Sequence, residues 1–148
     1  MKNLFLLFSL LLIVSTSFSQ THPPRKVKKA LEQLAPQAKE VKWKGEGDRN
    51  LIWTAKYIVG VDSMLTKYDH KANWIHTLKY ITIDQLPEKV SKSILDNYQR
   101  AKLTVAAEMQ EPNFDGYGVA FMYLGDRWAV AITKEGKVER RQITSEGF

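Results

Sequence analysis

The sequence predicts an α+β fold: two tandem α-β-β-β-β units whose strands join in one antiparallel sheet of about eight strands, with two helices packed on one face. Three observations predict it. Two segments place apolar residues at helical spacing, each is followed by short period-two runs broken by turn residues, and the order of elements recurs at an offset of about 63 residues.

Residues 1–19 stand outside this fold. Met1-Lys2-Asn3 is a short basic start, and Leu4 to Val14 is apolar apart from Ser9, the pattern of a secretory signal peptide. This run of about eleven residues falls short of the roughly 18 to 20 that a membrane-spanning helix needs. Ser17-Phe18-Ser19 supplies small residues for cleavage after Ser19, so the mature chain is expected to begin at Gln20 and to be periplasmic or secreted. No other stretch is apolar enough to span a bilayer.

Removing residues 1–19, which carry one Lys and no acid, turns 148 residues at +6 into 129 at +5. Cys is absent, which excludes disulfide frameworks, thiolate metal sites, Cys nucleophiles and a lipid-modified N-terminal Cys. An exported chain without disulfides must be held by core burial, and about 130 residues suffice for that.

The first unit is expected over 20–83. Pro23-Pro24 opens a helix whose Val27, Ala30, Leu31 and Leu34 share one face, and Pro36 ends it. From Val41 the period becomes two: Val41 and Trp43 precede a turn at Gly45-Glu46-Gly47-Asp48, and Leu51, Trp53, Ala55, Tyr57 and Val59 alternate with Ile52, Thr54, Lys56 and Ile58. Gly60-Val61-Asp62-Ser63 then leads to a strand at Met64 to Tyr68, and Asp69 to Asn73 leads to another at Trp74 to Ile83. Links this short require antiparallel pairing.

The second unit is expected over 84–148. Leu86-Pro87 opens a helix carrying Leu86, Val90, Ile94, Tyr98 and Ala101, and strands follow at Leu103–Met109, Tyr117–Tyr123, Arg127–Thr133 and Lys137–Ile143. Pro24, Val27, Ala30 and Leu31 align with Pro87, Val90, Ser93 and Ile94 at an offset of 63. Trp53, Ala55, Tyr57 and Asp62 align with Tyr117, Val119, Phe121 and Asp126 at 64. Each amphipathic helix is wide enough to cover one sheet face, which leaves the opposite face partly open as a binding surface.

Pro-x-x-Val-x-x-Ala, Ala38-Lys39-x-Val41-x-Trp43, Trp53-Thr54-Ala55-Lys56-Tyr57, Tyr68-Asp69, Trp74-x-x-Thr77 and Leu86-Pro87-x-x-Val90-x-x-x-Ile94-x-x-x-Tyr98 together carry a resemblance. Over residues 23–143 the chain resembles the PepSY-like, β-lactamase-inhibitor-like proteins exported by Bacteroidetes-type bacteria. The resemblance implies a duplicated α-β4 fold like that of the secreted β-lactamase inhibitor proteins, with no known enzymatic activity. The family's usual Gly before the fourth-strand Trp is replaced here by Ala72-Asn73, which puts the tightness of that turn in question.

Chemistry-bearing motifs are weak. His22, His70 and His76 are the only histidines, and on the predicted strand His76 shares a face with Trp74, Leu78 and Tyr80 while His70 sits in a turn, so no metal site is expected. Gly45-x-Gly47 lacks a strand-loop-helix setting, and Glu46 and Asp48 would repel a phosphate. No nucleophile setting for Ser/His/Asp catalysis is visible, so neither a catalytic residue nor a cofactor is expected. Arg25, Lys26, Lys28 and Lys29, with Lys39, Lys42 and Lys44, cluster around the first helix, but they occupy its polar positions and read as a solvated face rather than a nucleic-acid footprint.

Two sets of residues are candidates for partner binding. Asp62 and Asp126 lie in corresponding hairpins, where an acidic tip can enter a partner's cleft. Trp53, Trp74 and Trp128 lie in predicted strands and read mostly as sheet core or inter-unit packing, becoming partner-binding anchors only if two or more sit on the sheet face away from the helices. The expected function is therefore a non-enzymatic module that binds another exported or envelope protein, as an inhibitor or modulator of a periplasmic or secreted enzyme. The alternative is a small-ligand or ion sensor using the open sheet face.

Overall fold

The computed structural model describes residues 22–47 and 51–143, with side chains described through Arg140. The signal segment, its cleavage point and Asp48 of the first turn lie outside the described residues.

The chain runs α1 (Arg25–Leu34), β1 (Lys39–Glu46), β2 (Ile52–Val59), β3 (Asp62–Tyr68) and β4 (Trp74–Ile81), then a 3₁₀ turn (Ile83–Gln85). It continues with α2 (Glu88–Asn97), β5 (Lys102–Glu111), β6 (Phe114–Tyr123), β7 (Asp126–Thr133) and β8 (Val138–Ile143). The strands form one eight-stranded antiparallel sheet in sequence order, as predicted.

The two helices are built alike. Pro24 and Pro87 cap them with backbone angles of −54°, 150° and −56°, 140°, since a proline cannot give up the hydrogen bond it lacks. Their carbonyls accept from Val27 and Val90 N–H at 2.9 Å each. At the far ends Ala35 N–H donates to Leu31 O at 2.7 Å and Tyr98 N–H to Ile94 O at 2.8 Å, again 63 residues apart.

Both helices cover the same sheet face. Val27 and Leu31 pack on Trp53, Ala55, Tyr57 and Tyr68. Val90 and Ile94 pack on Ala106, Val119, Phe121, Val130 and Ile132. A continuous cross-strand row links the two clusters: Tyr57 opposes Met64, then Lys79, Glu108, Tyr117 and Ile132. Because directly opposed residues project to one side of a pleated sheet, α1 and α2 share that side.

Strand bounds differ from the sequence expectation by one to three residues, and three of the differences bear on the site. Strand β4 stops at Ile81 rather than Ile83, because Thr82 N–H donates to Gln85 Oε1 at 2.9 Å and Gln85 N–H to Thr82 O at 3.1 Å, turning the chain toward α2. Strand β6 begins at Phe114, three residues early, paired with Glu111. A β-bulge between Lys67 and Tyr68 sets Tyr68 against Trp74 but Lys67 against His76, so Trp74 and His76 occupy opposite faces.

The turn from Asp69 to Asn73 is tight although alanine rather than glycine holds its left-handed position. Ala72 takes φ 71°, and Asp69 Oδ1 accepts from Lys71 N–H and Asn73 N–H at 2.8 Å each. The aspartate thus substitutes side-chain hydrogen bonds for the conformational freedom a glycine would supply.

Candidate functional site: the helix-free face and its hairpin rim

The face away from the helices is shaped by small residues. One row runs Leu65, Leu78, Met109, Gly116, Thr133, and a second runs Tyr80, Ala107, Gly118, Ala131, Arg140. Leu65, Leu78, Ala107, Met109 and Ala131 are buried there without helix cover, with half-buried Tyr80 and Phe114 packed against them. Gly116 is sterically required: a Cβ would lie 2.4 Å from Ile132 O and 2.8 Å from Phe114 Cζ. The Phe114 ring therefore lies over the glycine, an aromatic side chain covering a strand position that has none.

Charge is layered onto this ring. The Arg140 guanidinium sits 5.4 Å from the Phe114 centroid and donates to Glu111 Oε2 at 2.7 Å. Together with Thr133 they border a cleft of about 550 Å³ at the end of the face. On the same face His76 is half-buried, with Nε2 lacking a hydrogen-bond partner among the described residues. Burial, reinforced by Lys67 and Arg140 and opposed by Glu111, pushes the imidazole down to about 4 from 6.5.

Two hairpins form one rim of the sheet. In a meander successive links alternate between the two ends, so the β2–β3 and β6–β7 hairpins lie at the same end, about 19 Å apart at four strand spacings. Each is a two-residue turn. Gly60 alone has positive φ (63°) in Gly60-Val61, whereas Leu124 and Gly125 both do (51° and 89°), the signatures of type II′ and type I′ turns. The tips are aliphatic: Val61 is 99% exposed and Leu124 85%.

The candidate partner-binding residues divide between the two hairpins and the helix-covered core. Asp62 and Asp126 are not at the tips but one residue inside, where they pair with Val59 and Tyr123 as the first residues of β3 and β7. Asp62 lies 3.3 Å from Lys79 Nζ, and Asp126 is exposed. None of the three tryptophans faces away from the helices. Trp53 is 1% exposed in the α1 cluster, Trp74 packs against that cluster and donates from Nε1 to Thr77 at 2.9 Å, and Trp128 packs in the α2 cluster 5.9 Å from the Tyr98 ring. Alternation alone could not assign them, because which face the helices cover is decided by packing across the sheet and, for Trp74, by the bulge.

Among the described residues no cluster of three or more His, Cys, Asp or Glu is positioned for a metal ion, and His22 and His70 are exposed. The sequence reading missed Phe114, Tyr80, Arg140 and Glu111. Its usable signal was Gly116-x-Gly118-x-Ala120, a period-two row of small residues on one face of β6.

No family model matches the sequence, and no curated protein matches it. Solved structures do. A BLIP-like protein from Bacteroides fragilis aligns at 20% identity and TM-score 0.68, over 86% of this chain and 90% of that one. A DUF2874 family protein from Bacteroides uniformis aligns at 20% identity and TM-score 0.68, over 82% and 90%. A candidate periplasmic protein from Bacteroides eggerthii aligns at 17% identity and TM-score 0.67, over 82% and 89%. No helix among the described residues is long and apolar enough to cross a membrane. At these identities the likeness is one of architecture, and the chain has the α+β fold of the BLIP-like proteins, an eight-stranded antiparallel sheet carrying two helices on one face.

Proposed function

We propose that this chain is an exported, non-enzymatic binding module that modulates another periplasmic or secreted protein through the helix-free face and its rim. The observation that carries the reading is the pair of exposed aliphatic tips, Val61 and Leu124, at one end of the sheet. Two isolated apolar side chains on rigid turns cost little entropy to dock, and Asp62, directly after Val61, and Asp126, two residues after Leu124, suit a cationic rim on the partner. Tyr80 supplies aromatic contact area behind them, and Phe114 lies at the far end of the same face, nine residues before Tyr123 along β6.

Support for export comes from the signal pattern of residues 1–19 and from the candidate periplasmic neighbour. The PepSY-like resemblance and the matching helix ends support two repeated units, 20–83 and 84–148, with the tips in corresponding places.

The test uses tagged mature chain and a V61D/L124D variant as bait in an envelope extract. A protein retained stoichiometrically by the unsubstituted chain and lost from the variant is the expected result. Equal retention by both, or no retained protein, counts against this reading.

A further inference from the structure

The two halves differ at one place where their backbones agree. Ala35 and Tyr98 follow the last helical residue of α1 and α2 with angles of −137°, 71° and −129°, 73°. Each is then followed three residues on by an N–H donating to its carbonyl, Ala38 to Ala35 O at 3.0 Å and Ala101 to Tyr98 O at 2.9 Å. In the second half the Tyr98 ring inserts among three aromatic side chains, with centroids 4.8 Å from Phe121, 5.3 Å from Tyr123 and 5.9 Å from Trp128. At an offset of 64 those three correspond to Tyr57, Val59 and Met64.

In the first half the side chain stops at the Ala35 Cβ, and the same walls border a cleft of about 350 Å³ that is partly open to solvent. Ala35, Tyr57, Val59 and Met64 line it, Leu34 stands beside them 48% exposed, and Thr77 and Gln110 complete the lining. That volume is within the range of about 300–1,000 Å³ typical of small-molecule sites. The lining holds no Asp, Glu, Lys, Arg or His, so a charged ligand would lose its hydration without a counter-charge. The Tyr57 hydroxyl is already engaged with Thr66 Oγ1 at 2.9 Å, which leaves the ring face as its contribution.

We propose that this cleft binds a neutral aromatic small molecule, its ring taking against Tyr57, Val59 and Met64 the place that the Tyr98 ring takes in the second half. A polar substituent is directed to the exposed Gln37 and Gln110 amides of the lining. The site lies on the helix-covered face and is independent of the rim reading.

The experiment titrates p-cresol into the mature protein while following the methyl resonances of Ala35, Val59 and Met64, with cyclohexanol and benzoate as non-aromatic and charged controls. The expected result is saturable shifts confined to these residues, with a Kd of roughly 1 mM or tighter and binding at least about tenfold weaker for either control. The A35Y variant, whose backbone angles already suit tyrosine at the corresponding position, should weaken p-cresol binding by at least about tenfold while raising the melting temperature. Unsaturated or scattered shifts in the unsubstituted protein overturn the proposal whatever A35Y does. So does equal binding of either control, or undiminished binding by folded A35Y.

Discussion

Thr66 and Thr77 oppose each other across β3 and β4 with their hydroxyl oxygens 2.9 Å apart, both buried on the helix-covered face. Thr66 also meets the Tyr57 hydroxyl at 2.9 Å, and Thr77 accepts from Trp74 Nε1 at 2.9 Å. The four side chains form a polar ladder spanning three strands of an otherwise apolar layer. Each member satisfies its neighbour, so the ladder fixes the register of β2, β3 and β4 at little desolvation cost.

Replacing Thr66 by valine keeps the shape but leaves the Tyr57 hydroxyl without this partner and Thr77 with one fewer. The T66V variant should lose about 1–3 kcal/mol in urea unfolding, and T66S should recover most of it. A loss below about 0.5 kcal/mol for T66V would mean that the ladder is energetically neutral.

His76 gives the fold a pH dependence of definite sign. Its folded pKa is lowered by burial first and by Lys67 and Arg140 second, to about 4 against 6.5. The unfolded chain therefore takes up a proton between these values while the folded chain does not. Stability from this group is intact above pH 6.5 and falls as the pH drops toward 4, by at most about 3 kcal/mol. Urea midpoints measured at pH 7.5 and 4.5 should differ less for H76Q than for the unsubstituted chain, and an unchanged difference would remove His76 as the cause.

Gly116 should not tolerate even one added methyl. Its φ is ordinary, so strain is steric: the new Cβ would sit 2.4 Å from the Ile132 carbonyl oxygen and 2.8 Å from Phe114 Cζ. The ring can move but the backbone of β7 cannot do so cheaply. G116A is expected to cost about 1–3 kcal/mol by thermal unfolding, whereas an unaffected melting temperature would show that β6 and β7 can separate locally.

Ala72 offers the opposite case. At φ 71° alanine pays a steric penalty that glycine avoids, and the Asp69 hydrogen bonds to Lys71 and Asn73 need no side chain at position 72. A72G should raise stability by about 0.5–1 kcal/mol, readable as an upward shift of the urea midpoint with the slope unchanged. A lowered midpoint would show that the Ala72 methyl contributes more by packing in the α1 cluster than its backbone costs.

The sequence made the sheet order and both helices readable because their signals are local. Val27, Leu31, Val90 and Ile94 repeat at helical spacing, and short links force neighbouring strands to pair. The site was much less readable. A single inserted residue near Ile75 reverses the side on which Trp74 lies, and two-residue turns move Asp62 and Asp126 off the tips in favour of Val61 and Leu124. The Phe114, Arg140 and Glu111 group is assembled from β5, β6 and β8, at a sequence separation of 29 for Arg140 and Glu111, and no local period encodes that meeting.

Engagement of a partner by the helix-free face and the Val61/Leu124 rim is read by hydrogen exchange on an isolated complex. Slowed exchange is expected at residues 60–62 and 123–126, near Tyr80 behind the rim and near Phe114 at the far end of the face, with α1 and α2 unchanged. Protection confined to α1 and α2, with both hairpins exchanging as in the free chain, would contradict it.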